Sequence, residues 1–300
     1  MWDNLVDGFS DGLEQIRLVL EPLPGFEVVA SRPYLFHGAT MLLVLGIVGA
    51  LVGVIVNLRS LEFNAEATVH GVFPGIVVGA LFGGVDAIIP GAAFVAVFIV
   101  VALSIISRRR NTEAGTAVVL TSFYALGMVI SLWKKDMSGQ LEALMFGRLL
   151  EIRDDVLLQS FLVCLLAAIV ILVSWRRQIF FAFDRVGAQS AGLNATVVDI
   201  LINTAIAAVV VAVSSAIGVL LVIGYIVIPG AAARLLCSRV STMTVVAILI
   251  GVLGGWLGLY AMALDTQRPI SPQAAVALSI CVLYSVAFLL RGLKQVVVRS

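Results

Sequence analysis

Charge is scarce in this sequence. Asp, Glu, Lys and Arg make up 12% of its 300 residues, about half of the ~25% that a soluble domain carries. That shortage excludes an ordinary water-soluble domain. With hydrophobic residues at 61% and a mean hydropathy of +1.11, what remains is a membrane protein. Histidine is scarcer still, with His37 and His70 alone, and none of the three cysteines, Cys164, Cys237 and Cys281, falls in a CxxC pair. Both facts argue against a catalytic metal site with three nitrogen or sulfur ligands, and the cysteines read as small buried hydrophobes. There is no Walker phosphate loop, HExxH, GxSxG or helix-opening GxGxxG, so no enzyme signature is present. The net charge is +1, with the few basic residues in loops, so charge gives no sign of nucleic acid and none is expected as a partner.

What the chain does have is long apolar runs. They fall at about 35–57, 68–84, 87–107, 113–133, 156–174, 197–214, 216–236, 242–264 and 272–290. At roughly 20 residues per crossing, these predict an all-α, polytopic membrane bundle of eight or nine transmembrane helices, occupying residues 34–300 as one domain. The second run is short and carries Gly71, Pro74, Gly75, Gly79, Gly83 and Gly84. A broken or re-entrant helix is one reading of it, and that reading would change the count and the side of the N-terminus. Residues 1–33 lack the positive start of a secretory signal. Leu5, Phe9, Leu13, Ile16 and Leu20 recur there at helical spacing with charges between them, a pattern for an amphipathic helix at a membrane surface.

Arg59, Arg108–Arg110, Arg176, Arg177, Arg234, Arg239, Arg291, Lys294 and Arg299 fall on one side if nine segments alternate. The excess of Lys and Arg assigns that side to the cytoplasm. Residues 134–155 contain a helix-like piece around Leu141–Leu150. Residues 175–196 form a cytoplasmic segment with Phe180, Phe181 and Phe183 ahead of a small-residue run. That segment reads either as a partner-docking element or as an interfacial anchor. The stretches "GIVGALVG" (46–53), "GVLGGWLG" (251–258) and "PGAAA" (229–233) have the small-residue spacing of close helix packing, within a bundle or at a homodimer seam.

Ionisable residues at membrane depth are functional candidates by default. In "FNAEATVHGVFPG", Glu66 and His70 stand four apart and share one helix face. A carboxylate with an imidazole suits Mn²⁺, Fe²⁺ or Zn²⁺, Asn64 offers a further oxygen, and Pro74 with Gly75 breaks the helix beyond. The competing reading is a His70–Glu66 hydrogen bond with no metal. His37 reads as interfacial, Glu113 as a helix-start charge. Asp199, Asn203 and Thr204 face either a passage or a neighbouring helix.

Five stretches in order resemble the membrane permease subunit of bacterial ABC importers for zinc, manganese and iron(II). They are "VNLRSLEFNAEATVHGVFPG", "MFGRLL", "FDRVGAQSAGL", "IGVLLVIGYIVIPGAAAR" and "DTQRPISPQAAV", and the order and spacing match the family from about residue 35 to 290. Arg59, Phe63, His70, Pro74 and Gly75 are in register with the first family motif. Phe183, Asp184, Ala188 and Gly192 match the third, and Gly218, Pro229 and Arg234 the fourth. Glu66 replaces the family's aspartate, Val69 its serine and Gly230 an alanine.

The resemblance implies a type II ABC importer-like permease in the cell (inner) membrane. Two copies would form the pathway, and two cytoplasmic ATP-binding subunits would dock at Phe183, Asp184, Ala188 and Gly192. An external solute-binding protein would deliver the ion. Glu66 and His70 would hold a transported Mn²⁺ or Zn²⁺, with no permanently bound cofactor, and Pro74, Gly75, Pro229 and Gly230 would serve as helix-break or gating positions. The alternatives are an ABC permease for a metal chelate or vitamin and a stand-alone channel or secondary carrier.

Overall fold

The computed structural model describes residues 2–107, 112–133, 147–263 and 271–299. These residues are helical, with no strand among them. In chain order the helices are α1 (Trp2–Leu20), α2 (Glu27–Ala30), α3 (Pro33–Arg59), α4 (Glu62–Gly71), α5 (Phe73–Gly83), α6 (Ile88–Ile106) and α7 (Thr112–Trp133). They continue with α8 (Asp154–Phe183), α9 (Arg185–Ser190), α10 (Ala195–Ile217), α11 (Val219–Leu236), α12 (Val240–Ala263) and α13 (Pro272–Arg299). Among the described residues nine spans are long and apolar enough to cross a membrane. The second, Glu62–Gly83, is α4 and α5 together. Pro74 is what divides it. Having no N–H, it cannot continue the α4 ladder, and Gly75 N bonds to the Val72 carbonyl at 3.0 Å instead. The break lies inside a full-length span, so no re-entrant segment is needed.

Helix α3 is the axis of the bundle, because glycines let its neighbours approach to backbone contact. A Cβ on Gly46 would sit 2.9 Å from Val252 N, and one on Gly230 would sit 2.7 Å from the Gly53 carbonyl oxygen. A Cβ on Gly53 would overlap the Ile226 carbonyl. The three small-residue stretches therefore join α3 to α12 and α11 within one chain rather than marking a homodimer seam. Pro229 makes no turn, since α11 runs through it without a break. Asn57 steadies that crossing by donating to the Val227 carbonyl at 3.1 Å, and Arg234 donates to the Asn57 carbonyl at 2.5 Å. A second glycine seam welds α5 to α6, where Gly75 and Gly91 each face the other's carbonyl oxygen.

The two ends of the bundle differ. One end gathers Arg59, Ser107, Glu113, α9, Asp199 and Arg234, the basic side of the sequence. The other carries α1, α2 and the 147–153 turn. The helix expected around Leu141–Leu150 falls mostly outside the described residues, as do Arg108–Arg110 and Phe146. Its last residues, from Gly147, form an irregular turn in which Arg148 N bonds to the Ala216 carbonyl at 3.1 Å and Leu149 is fully buried. Helix α1 packs by Leu13 and by Phe9 against Phe161, with ring centroids 6.0 Å apart, while Leu5 and Ile16 remain exposed. Arg17 ties it down, donating to the Ala30 carbonyl at 2.5 Å and to Glu14. That hydrogen bonding holds the Glu14 carboxyl below its ordinary range. Of the cysteines, Cys164 is buried, Cys237 half-buried and Cys281 exposed. Cys281 thus departs from the buried reading, because it lies on the outward face of α13.

The α3–α11 seam is testable. Gly53→Val should destabilise the chain by about 1–3 kcal/mol, the usual cost of overpacking, read as a lower unfolding midpoint in detergent. Gly8→Ala, at a helix position with open space around it, should hold the midpoint or raise it slightly, since Ala favours the helix over Gly.

Candidate functional site

Helix α4 buries Ala65, Ala67, Thr68 and Val69, and on its other face Glu66 is exposed and His70 half-buried. At 1.5 Å per residue, Glu66 lies about 6 Å and His70 about 12 Å along the span from Glu62. Neither forms a hydrogen bond or ion pair among the described residues, so the Glu66–His70 bond considered from sequence is absent. The imidazole instead meets Tyr124 of α7 edge-on, with centroids 5.7 Å apart, and Tyr124 packs on Phe73 at 5.6 Å. Pro74 and Gly75 start α5 directly above. Among the described residues no group of three or more His, Cys, Asp or Glu is placed to hold a metal.

Asn64 does not join Glu66 and His70. It is buried, and its amide is spent inside the bundle: Oδ1 accepts from Thr116 at 3.2 Å and Nδ2 donates to Asn203 Oδ1 at 3.5 Å. Asn203 in turn donates to Ser104 at 3.2 Å. This chain of polar contacts fixes the roll of α4 about its axis, which decides that Glu66 and His70 point outward. Asp199 and Asn203 therefore make contacts between helices. Asp199 pairs with Arg59, and His37 pairs with Asp154 at 3.4 Å at the far end.

Below α4 at the basic end lies a cavity of about 580 Å³. Arg59, Glu62, Asn64, Glu113, Thr116 and Asp199 are among its lining residues. Glu113 is in the first turn of α7, as expected of a helix-start charge. Glu62, Glu66 and His70 follow one another at four-residue steps, so a polar row leads from the cavity up α4.

The stretch read from sequence as 175–196 divides in two. Residues up to Phe183 are the last turns of α8, and α9 is a separate short helix. Asp184 caps α9, accepting from Gly187 N at 2.7 Å, and a Cβ on Gly187 would displace that carboxylate. Ala188 is buried with Phe181 and Val198. Phe183 and Val186 are left 69% and 73% exposed, an apolar surface at the basic end. Gly192 closes the turn with φ +87°. Sequence reading missed the interaction that holds this corner together. Arg59 reaches Gln178 and Asp199, residues 119 and 140 positions away. The only local signal was an arginine and an aspartate each at the end of an apolar run.

Nine helices long and apolar enough to cross a membrane among the described residues, a carboxylate and an imidazole on the outward face of one of them, and the exposed side chains of Phe183 and Val186 at the basic end give the architecture of a multi-pass membrane protein. The chain belongs to the ABC 3 transport family, whose sequence profile matches residues 31–291. It is 25% identical over 276 residues to the manganese transport system membrane protein MntC of Halalkalibacterium halodurans, covering 91% of this chain and 93% of that one. It is 27% identical over 248 residues to the chelated iron transport system membrane protein YfeC of Yersinia pestis, covering 82% and 81%. Its fold is similar to that of PsaBC from Streptococcus pneumoniae in complex with Fab (TM-score 0.76, 21% identity, 88% and 94% covered). It is also similar to an inward-facing metal-chelate type ABC transporter (TM-score 0.67, 15% identity, 95% and 99% covered).

Asp184→Ala should weaken α9 by about 1 kcal/mol, the usual worth of an N-cap. Backbone hydrogen exchange should quicken across residues 185–190 and stay unchanged in α8 and α10.

Proposed function

We propose that this chain is the permease subunit of an ATP-driven importer that carries divalent transition-metal ions, Mn²⁺ foremost, into the cytoplasm. The observation that carries the proposal is the outward-facing pair Glu66 and His70 on α4. An ionised carboxylate on a span is costly to turn toward lipid, so this face belongs against a wet passage. Two ligands are too few for a bound ion. A second copy related by twofold symmetry would present the same pair, giving two carboxylates and two imidazoles, a donor set suited to Mn²⁺, Fe²⁺ or Zn²⁺. A site that must release its ion is well served by such a loose shell.

The remaining parts follow from this reading. The basic end faces the cytoplasm, where Phe183, Asp184, Ala188 and Gly192 form the docking element for two ATP-binding subunits. The end carrying α1 faces outward, where a solute-binding protein delivers the ion. Pro74 and Gly75 place a joint just above Glu66 and His70. Pro229 and Gly230 form a rigid crossing with α3, and their role is to anchor the bundle rather than to gate it. The curated relatives, named for manganese and chelated iron, support a metal cargo. The carboxylate–imidazole pair, with no thiolate beside it, favours Mn²⁺ over a softer ion. A metal-chelate permease is the second reading, resting on the 580 Å³ cavity at the basic end.

Glu66→Ala and His70→Ala should each lower ⁵⁴Mn²⁺ uptake at least tenfold in cells producing the whole transporter, with membrane insertion unchanged. Uptake retained in both variants would remove the assigned site. Free Mn²⁺ competing for uptake supports the ion reading. Inhibition by a metal chelate alone would replace it with the second.

A further inference from the structure

Arg59 closes α3, and α4 begins after two residues. Ser60 takes the left-handed conformation, φ 54°, and both Ser60 N and Leu61 N bond to the Val56 carbonyl. Ala65 N then bonds to the Leu61 carbonyl at 3.0 Å. This joint closes as a helix C-cap does and leaves little freedom between the end of α3 and the first turn of α4. The Arg59 side chain, 6% exposed, reaches the other way. Its Nη1 donates to Gln178 Oε1 of α8 at 2.7 Å, and its Nη2 donates to Asp199 Oδ1 of α10. The guanidinium carbon lies 5.1 Å from the centre of the Phe181 ring.

One of those partners, Phe181, also seats α9. Phe181 is buried with Ala188 of α9, and Arg185, the first residue of α9, lies 5.2 Å from the same ring. Gln178 also donates to the Val198 carbonyl at 2.9 Å, locking α8 to α10. A displacement of α9 therefore bears on Phe181, passes through that ring to the Arg59 fork, and arrives two residues from α4. A buried ion pair is a weak stabiliser, because desolvation offsets its Coulomb gain. An apolar corner would hold these helices together as well, but it would not fix direction as a planar fork does.

We propose that Arg59 is a positioning residue that couples α9, where the ATP-binding subunit docks, to α4, which carries Glu66 and His70. The proposal rests on the transporter reading above. Lysine in its place keeps the charge beside Asp199 and loses the fork, so Arg59→Lys separates assembly from coupling. Gln178→Met keeps the shape of α8 and removes one arm of the fork, a second route should the first variant insert poorly.

The test uses the permease assembled with its ATP-binding subunit in lipid nanodiscs. Hydrogen exchange of the 62–71 and 185–190 segments is compared with and without ATP plus vanadate, and Mn²⁺ moved per ATP hydrolysed is measured in vesicles. The wild type should show a nucleotide-dependent change in 62–71. Arg59→Lys and Gln178→Met should keep the protection of 185–190 by the bound subunit and lose the change in 62–71. Their Mn²⁺ per ATP should fall about tenfold, with ATP hydrolysis within twofold of the wild type. An unaltered 62–71 response in both variants overturns the proposal. So does loss of both segments' responses together, which makes the corner merely a structural seat, and so does a wild type whose 62–71 segment ignores nucleotide. A wild type that responds in 62–71 yet moves no Mn²⁺ overturns the cargo assignment and leaves the coupling role standing.

Discussion

A carboxylate inside a membrane span needs a partner or a wet surface, and Glu66 is exposed with no hydrogen-bond or ion-pair partner among the described residues. Much of the surrounding architecture maintains that condition. Asn64, two residues earlier, is held from behind by Thr116 and Asn203, and these bonds prevent α4 from rolling Glu66 into the bundle. Tyr124 shields the other edge of the face by meeting the His70 ring. The outward set of Glu66 is thus built in by neutral hydrogen bonds on the opposite side of the same helix, and the proposed second copy and ion rest on it.

The rest of the bundle is held by surface shape more than by charge. In a membrane there is little hydrophobic force between helices, so close packing and hydrogen bonds must hold them together. Glycines along α3, α11 and α12 supply the packing. Buried polar side chains such as Ser160, which donates to the Ala212 carbonyl at 2.5 Å, supply the bonds. The polar contacts gather at the two ends and around α4, and the glycine seams run between.

Much of this was legible in the sequence. Apolar run length marks the spans, since a helix must satisfy its own backbone in lipid, and the four-residue step from Glu66 to His70 places them on one face. Pro74 was legible as a break because its missing N–H acts locally. Pro229 was not legible as an uninterrupted helix position, because that depends on α3 pressing Gly53 and Asn57 against α11. Asn64 was misread as a ligand for the same kind of reason: its partners lie on α7 and α10, far along the chain. The Arg59–Asp199 pair joins two residues that were each visible, but period and spacing carry no information about contacts across 140 positions. The length of α8 was hidden too, because its last turns carry Arg176, Arg177 and Gln178, polar residues that resemble a loop until Gln178 is seen buried.

The α5–α6 hairpin has a mechanical consequence. Where Gly75 and Gly91 touch backbone to backbone, there are no side chains to slide or change rotamer, so the two helices behave as a single stiff plate. Bending between that plate and α4 is then concentrated at Val72, where the helical ladder changes its bonding pattern. The face carrying Glu66 and His70 sits on one leaf of a hinge and the stiff plate is the other, so a small tilt of either leaf moves those two side chains without distorting the bundle that carries them.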